Sequence, residues 1–415
     1  MSFTSPVPAV VPSLFHNSSP WVGSYARKKR VLFTAVKDEM RESSGPGLMS
    51  FTSTVPAAVA SLFDSMTLLI TRRDTPGEGG LPLPESADIV VLRNPIGRDF
   101  RRKLSILASL YYYISTIARH AARADCVHVP PPGDIPLLGM LVGLALRKRL
   151  IVRYGGSWAT TSRTTLTNRA TRALMRIFAG GRNVMLATGE AQMAPARGIS
   201  WIFSTGLSEQ ELARVRPVMD RGLSAPPQLA YVGRLSVEKG LQNLIQAIAD
   251  LEREGLTPVP ELTIIGDGPE RGRLRDLSVK LGHENRIRFT GQLDRAALSA
   301  ALSRADFCVQ PSLSEGYSKA WLDAFAHGLP VLASEVGAAR PVIGEERGWL
   351  VSPGDVSGLA ARLREVLNEP RDWPALRHRC REFAESRTLE AWAKDIGRIC
   401  GEQWNVRMVD GKLVA

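Results

Sequence analysis

Short apolar runs recur along the chain, separated by stretches whose apolar residues fall every three or four positions. In the first half the runs lie at residues 30–35 (RVLFTA), 67–70, 89–92, 126–129, 150–152 and 184–190, and each reads as a strand. A glycine-containing loop and a helix are expected after residue 35. Helical patterns cover residues 104–124, which include Tyr111, Tyr112 and Tyr113, and residues 135–146. In the second half the strand-like runs are residues 229–232, 262–265, 287–291, 307–309, 331–333 and 349–355. Leu241, Leu244, Ile245, Ile248 and Leu251 share one face of a helix. Asp294 stands where it can cap a helix that turns Leu298, Ala301, Leu302 and Ala305 inward. A further helix is predicted over residues 318–327, with Gly328 as its stop and Pro330 just beyond. Strands alternating with helices in this way make parallel sheets covered on both faces. Ligands of such sheets sit at the carboxyl ends of the strands.

A chain of 415 residues is long enough for two domains. Ala225-Pro226-Pro227 reads as the linker. The expected boundaries are residues 25–222 for a first domain, 223–388 for a second, and 389–415 for a last amphipathic helix and tail. Residues 1–24 stand apart because of a local duplication. MSFTSPVPAVVPSLF at residues 1–15 returns as MSFTSTVPAAVASLF at residues 49–63, with twelve of fifteen positions identical. The second copy fits a strand–loop–helix unit. The first carries extra prolines and precedes a basic cluster, so it is expected to lie outside the core.

Charge narrows the picture. Residues 1–220 hold 27 Lys/Arg against 15 Asp/Glu, whereas residues 221–415 are balanced, so the whole net charge of +12 lies in the first half. Such a half could face nucleic acid, anionic lipid or an anionic substrate. The excess gathers at Arg98, Arg101, Arg102 and Lys103 before the tyrosine-bearing helix and at Arg147, Lys148 and Arg149. Basic residues beside Leu, Ile and Tyr suggest a surface lying on anionic lipid; a solvated face with core aromatics is the other reading. The apolar run at residues 135–146 is too short to span a membrane, and no basic segment precedes the apolar N-terminus as in a signal peptide. Cys126, Cys308, Cys380 and Cys400 show no metal or disulfide spacing, which fits a reducing cytoplasm. The histidines are scattered, and His128 is expected in the core.

The candidate chemistry lies where strands end. Residues 310–333 (QPSLSEGYSKAWLDAFAHGLPVLA) place Glu315 at the mouth of a helix wrapped between two buried strands, with Asp323 eight positions on. Were that span helical throughout, it would cover about 12 Å. Anionic phosphate there would meet free backbone N–H groups and the positive end of the helix dipole. After the strand at 229–232 comes Gly233-Arg234-Leu235-Ser236-Val237-Glu238-Lys239-Gly240, a glycine turn with an Arg and a Lys at a helix mouth, an anion site unless Lys239 is tied to Glu238 on the surface. Gly266-Asp267-Gly268-Pro269 ends the next strand. In the first half Arg153-Tyr154-Gly155-Gly156 ends another; its glycines let a backbone approach a ligand, or it is a turn with an outward-reaching Arg.

These strings resemble the motifs of the retaining glycosyltransferases of family 4, which have the GT-B architecture. GRLSVEKG resembles G-R-L-x-x-E-K-G, GDGP the G-x-G-P turn, residues 287–291 the V-x-F-x-G element, and Glu315 with Asp323 the E-x7-E pair. The resemblance is motif by motif over residues 229–355 and rests on element order over residues 24–205. It implies an α/β fold of two Rossmann-like, doubly wound domains facing a central cleft, with the last helix crossing back to the first domain. It implies a nucleoside-diphosphate sugar donor. Arg234 and Lys239 would hold the diphosphate, Glu315 the sugar and Asp323 the ribose, with Gly233, Gly266, Gly268, Gly316, Tyr317 and Ser318 lining the donor site. Gly47, Arg153, Tyr154 and Gly155 would lie on the acceptor side. No cofactor and no metal are expected, since no D-x-D stands in the donor half. Family resemblance further implies an acceptor that is a lipid-linked intermediate or a saccharide in surface polysaccharide synthesis, and a cytoplasmic protein lying on the membrane face. The chain departs from the family in having Asp323 in place of a Glu, Ser318 where Gly is frequent, Pro341 where Glu is common, and no His beside Arg153. A sugar-nucleotide epimerase of similar architecture would share the donor site but need acid–base groups in the cleft. A nucleic-acid-binding or membrane-binding module without catalysis would explain the basic half and leave the second half's motifs without a purpose; no nucleic-acid partner is expected.

Overall fold

The computed structural model describes residues 30–42, 49–51, 55–72, 81–82, 87–93, 99–158 and 164–414. The first copy of the duplication, Gly47 and Arg98 lie outside the described residues, as do the side chains of Arg102 and Lys103.

The first sheet is built from β1 (Arg30–Glu42), β2 (Met49–Phe51), β3 (Ser65–Arg72), β4 (Leu81–Pro82), β5 (Ala87–Leu92), β6 (Cys126–Val129), β7 (Arg149–Tyr154), β8 (Asn183–Thr188) and β9 (Ile199–Ile202). Seven of these strands run parallel in the order β5-β3-β1-β6-β7-β8-β9, while β2 and β4 add an antiparallel fringe at the far end of β1. The second sheet is wholly parallel. Its strands are β10 (Gln228–Val232), β11 (Glu261–Ile265), β12 (Ile287–Gly291), β13 (Phe307–Gln310), β14 (Val331–Ser334) and β15 (Gly348–Val351), in the order β12-β11-β10-β13-β14-β15. In both sheets the chain winds outward from a central strand, returns, and winds the other way. That reversal opens a crevice at the carboxyl ends of the two strands flanking the switch, here β1 and β6 in one sheet and β10 and β13 in the other.

Three elements differ from the sequence-based expectation. β1 continues to Glu42 and pairs antiparallel with β2, where a loop and helix were expected; the helix Val55–Ala60 comes only after β2. The helical pattern at residues 104–124 is two helices, Asp99–Ala108 and Leu110–Arg123, meeting at Ser109, whose φ of −100° and ψ of 10° leave the helical well. The helix turns about 100° per residue, so the three tyrosines diverge. Tyr111 is 85% exposed. Tyr113 is 1% exposed and donates its hydroxyl to the Arg93 carbonyl at 2.8 Å. Finally, β9 extends the first sheet beyond β8. Its sequence, Ile-Ser-Trp-Ile, shows neither alternation nor an apolar run.

The last helix, Leu389–Trp404, crosses back onto the first domain. Its Trp392 Nε1 donates to the Phe203 carbonyl at 2.9 Å, and Trp404 Nε1 to the Arg182 carbonyl at 3.0 Å. Ile396 and Cys400 are buried in a core that runs continuously from β1 and β3 through this helix into the second domain. An apolar side chain buried in this way contributes about 1.5–3 kcal/mol. A terminal hairpin, Arg407–Val409 with Lys412–Val414, closes on the same domain through the Leu413 amide, which donates to the Leu62 carbonyl at 3.0 Å. All four cysteines are free and buried, and burial pushes their thiols up. Among the described residues no helix is long and apolar enough to cross a membrane.

Candidate functional site

The strand order explains why two distant sequence strings meet. β10 and β13 are neighbours at the switch of the second sheet, so the loops that leave them, at residues 233–240 and 311–318, rise side by side. Gln310 Nε2 ties the two strand ends by donating to the Val232 carbonyl at 3.0 Å. The Leu313 amide donates to the Glu238 carbonyl at 2.8 Å. Gly240 sits at φ 65° as the N-cap of helix Leu241–Arg253, and a Cβ there would stand 2.1 Å from the Pro311 carbonyl oxygen. Only glycine lets the loops lie this close.

Lys239 ends a short 3-10 turn, Val237–Lys239, and its ammonium contacts the Glu315 carboxylate directly. It is therefore not tied to Glu238 on the surface. Glu315 Oε1 accepts from the Gly316 amide at 3.2 Å. The Glu315 loop is braced from behind by the Ala338 amide, which donates to the Gly316 carbonyl at 2.9 Å. Gly337, at φ 57°, makes that approach possible, since a Cβ would lie 2.4 Å from the carbonyl oxygens of both Glu315 and Gly316. Arg234 is exposed and has no acid partner among the described residues. With Gly233, Gly266, Asp267, Gln292 and Leu293 it lines a cavity of about 380 Å³. Gly233 and Gly266 lie on adjacent turns, linked by the Gly233 amide, which donates to the Ile265 carbonyl at 2.9 Å, and the Leu235 amide, which donates to the Asp267 carbonyl at 3.0 Å. Gly268 packs its backbone on Leu235.

The helix Lys319–Ala326 opens at Ser318, whose side chain makes no capping bond. The amide donors of its first turn therefore face the loop junction uncapped by that side chain. The span from Glu315 to Asp323 is not helical throughout, because Ser318 is extended at φ −88° and ψ 121°. Asp323 lies on this helix with its Oδ1 held by Arg295 Nη1 at 2.8 Å. The same guanidinium donates through Nε to Glu211 at 3.0 Å and through Nη2 to the Gly206 carbonyl at 3.4 Å. Burial pulls the Arg295 pKa down, but Asp323 and Glu211 outweigh it and raise it. Burial likewise raises Glu211, yet the Ser208 amide and Arg295 prevail and hold that carboxyl below its usual range. Glu211 also closes a capping box with Ser208 at the start of helix Glu209–Arg214, in the segment joining the domains.

The first domain meets this edge across the cleft. A Cβ at Gly316 would lie 3.4 Å from the backbone of Ser157, so the loop after β7 faces the Glu315 loop. That loop is fixed by the Gly155 amide, which donates to the Pro131 carbonyl at 2.6 Å. The remaining candidates fall elsewhere. The Arg153 guanidinium lies 5.7 Å from the Trp392 ring on the crossing helix. Tyr154 is buried edge-on against Trp158, and burial raises its phenol. Tyr317 is also in the core, 6.0 Å from Trp321 between ring centres, so its side chain does not line the cavity at Arg234; burial raises its phenol too. His128 is fully buried, and burial, then Arg153, holds its imidazole well below the usual range. Lys148 donates to the Ala122 and Ala124 carbonyls at 2.8 Å each, and Arg149 stacks on Trp404, so neither is free to meet lipid.

Sequence reasoning missed Arg295 and the ion pair of Glu190 with Arg387 at 2.8 Å, which ties the end of β8 to the second domain. Their partners lie far away in sequence, and nothing local marks them.

Residues 221–387 match a family model described as glycosyl transferases group 1. A glycogen synthase of Mycobacterium tuberculosis is 37% identical over 180 residues, which are 41% of this chain and 43% of that protein. A sulfoquinovosyl transferase of Arabidopsis thaliana is 27% identical over 315 residues, 70% of this chain and 58% of that one. The chain thus spans about half the length of the curated relatives it matches. Among solved structures, a sucrose-phosphate synthase from Thermosynechococcus elongatus superposes with a TM-score of 0.69 at 21% identity, covering 91% of this chain and all of that one. HepE of Anabaena, solved with UDP and glucose, gives 0.66 at 17% identity, covering 90% and 100%. At these identities the likeness is one of fold, and the fold is GT-B.

Proposed function

We propose, from the match of residues 221–387 to the glycosyl transferases group 1 family model, that the chain transfers a sugar, with retention, from a nucleoside-diphosphate sugar to an acceptor hydroxyl. One observation carries the reading. Lys239 and Glu315 meet where β10 and β13 part, at the start of helix Lys319–Ala326 whose Ser318 side chain makes no cap, and the loop that carries Lys239 also carries Arg234, which lines a cavity. A diphosphate seated there meets two cations and the amide donors of a helix N-terminus, while the sugar reaches Glu315. Asp323 accepts from the ribose hydroxyls. The bond from the anomeric carbon to the diphosphate oxygen breaks, and the acceptor oxygen bonds to that carbon from the same face. The acceptor's proton passes to an oxygen of the departing diphosphate. Arg234 and Lys239 stabilise the charge that grows there, the term that usually dominates. They supply the positive charge a divalent ion would otherwise bring.

The acceptor on this reading is lipid-linked. Leu104, Leu107, Tyr111 and Ile114 expose apolar surface along the paired helices, with Arg101 exposed beside them. Apolar and basic groups combined in this way suit an anionic membrane surface, each base contributing about 1 kcal/mol, screened by salt. A relative from Rhizobium meliloti, 34% identical over 172 residues, is a lipopolysaccharide core biosynthesis glycosyltransferase. Transfer of radiolabelled sugar from a panel of UDP-, GDP- and ADP-sugars to a membrane extract tests the proposal. Incorporation from one donor is expected; a folded protein inert with all of them would overturn it.

A further inference from the structure

Lys239 and Glu315 hold each other, and the loops that carry them are joined backbone to backbone. One side is fixed by the Leu313 to Glu238 backbone bond and the fit of Gly240 against Pro311, the other by Gly337 and Ala338. Any ligand must therefore part the side chains alone. Both remain within reach, with the side chains 20% and 16% exposed.

We propose that Glu315 sorts the ligands of this site, favouring the intact donor over the released nucleoside diphosphate by competing for Lys239. The inference rests on the donor-site reading above. When an intact donor arrives, its diphosphate takes Lys239 and its sugar hydroxyls donate to Glu315, so neither charge is left alone. The released nucleoside diphosphate also takes Lys239, but it offers Glu315 nothing in return. A half-buried carboxylate that loses its cation is penalised. The penalty grows because a terminal phosphate carries a charge of about −1.5 to −2 at neutral pH and now stands beside it. Lys239 returns to Glu315, and the site resets without movement of either loop.

Calorimetric titration separates the possibilities. The ligands are UDP, GDP, ADP and their glucose conjugates. The proteins are the full chain, Glu315→Gln, Glu315→Ala, Lys239→Met and the double variant Lys239→Met/Glu315→Gln. The nucleoside diphosphate that binds the unmodified chain is expected to bind both Glu315 variants about tenfold more tightly, a gain of about 1.4 kcal/mol. Its sugar conjugate is expected not to tighten, and in the Lys239→Met background Glu315→Gln is expected to add nothing. Unchanged or weaker diphosphate binding by a folded Glu315→Gln protein overturns the proposal. If Lys239→Met weakens the diphosphate while Glu315→Gln fails to tighten it, the donor site stands and the sorting role alone is lost. If the folded chain binds no nucleotide at all, both fall.

Discussion

The two acids at either end of one short stretch, Glu315 and Asp323, each face a cation, but the cations belong to different parts of the molecule. Lys239 comes from a loop of the same domain, locked to the Glu315 loop by backbone contacts. Arg295 reaches Asp323 with one arm while the others hold Glu211 and Gly206 in the segment that joins the domains. The first pair is preorganised by a single rigid body. The second depends on how the joining segment lies on the second domain. Loss of a group at the rigid end should fall on the reaction, and loss at the other end on the binding of the donor and the setting of the cleft.

The largest expected effect is at the rigid end. Lys239→Ala should lower turnover about a hundredfold, close to 3 kcal/mol, because the charge it meets grows as the diphosphate departs. Donor affinity should fall by much less; a loss confined to donor KM would erase the contrast. Asp323→Ala comes next. Hydrogen bonds from ribose hydroxyls to a carboxylate are worth about 1.5–3 kcal/mol, so donor KM should rise by that amount with turnover at saturation little changed, as uniform binding requires. Smaller still is Arg295→Ala. The guanidinium is partly exposed, so its ion pairs contribute about 1 kcal/mol or less to stability. A change of severalfold in donor KM is expected, and in combination with Asp323→Ala it should be non-additive. Additive losses in the double variant would mean that the two do not act as a pair. The smallest is no change: a chelator should leave the rate as it was, and loss of activity restored by magnesium or manganese would contradict the charge balance at Arg234 and Lys239.

The same contrast explains what the sequence disclosed. The Glu315 end was legible because its constraints are local and of a kind that shapes composition: strands ending in glycine turns, an Arg and a Lys at a helix mouth, a helix stop at Gly328. The partners at the Asp323 end were not. Arg295 and Glu211 lie 84 residues apart, and a lone Arg after a capping Asp looks like any exposed surface charge. Burial decided other cases against composition. Tyr317 stands between Gly316 and Ser318 in a loop that reads as lining a ligand, yet its ring completes the core beside Trp321. Lys148 and Arg149 read as a basic patch, but the turn before them and the start of β7 bring one onto the carbonyls ending helix Leu110–Arg123 and the other onto Trp404. β9 was hidden because an edge strand of four residues needs no alternation to be held by its neighbour β8.

The measurement that bears most directly on this account is steady-state kinetics of Glu315→Ala beside Asp323→Ala, with the donor varied through saturation and circular dichroism establishing that both are folded. The account predicts that Glu315→Ala loses turnover even at saturating donor, while Asp323→Ala regains most of its turnover once donor is raised. A fully active Glu315→Ala protein, or an Asp323→Ala protein that loses turnover while keeping its donor affinity, would contradict it.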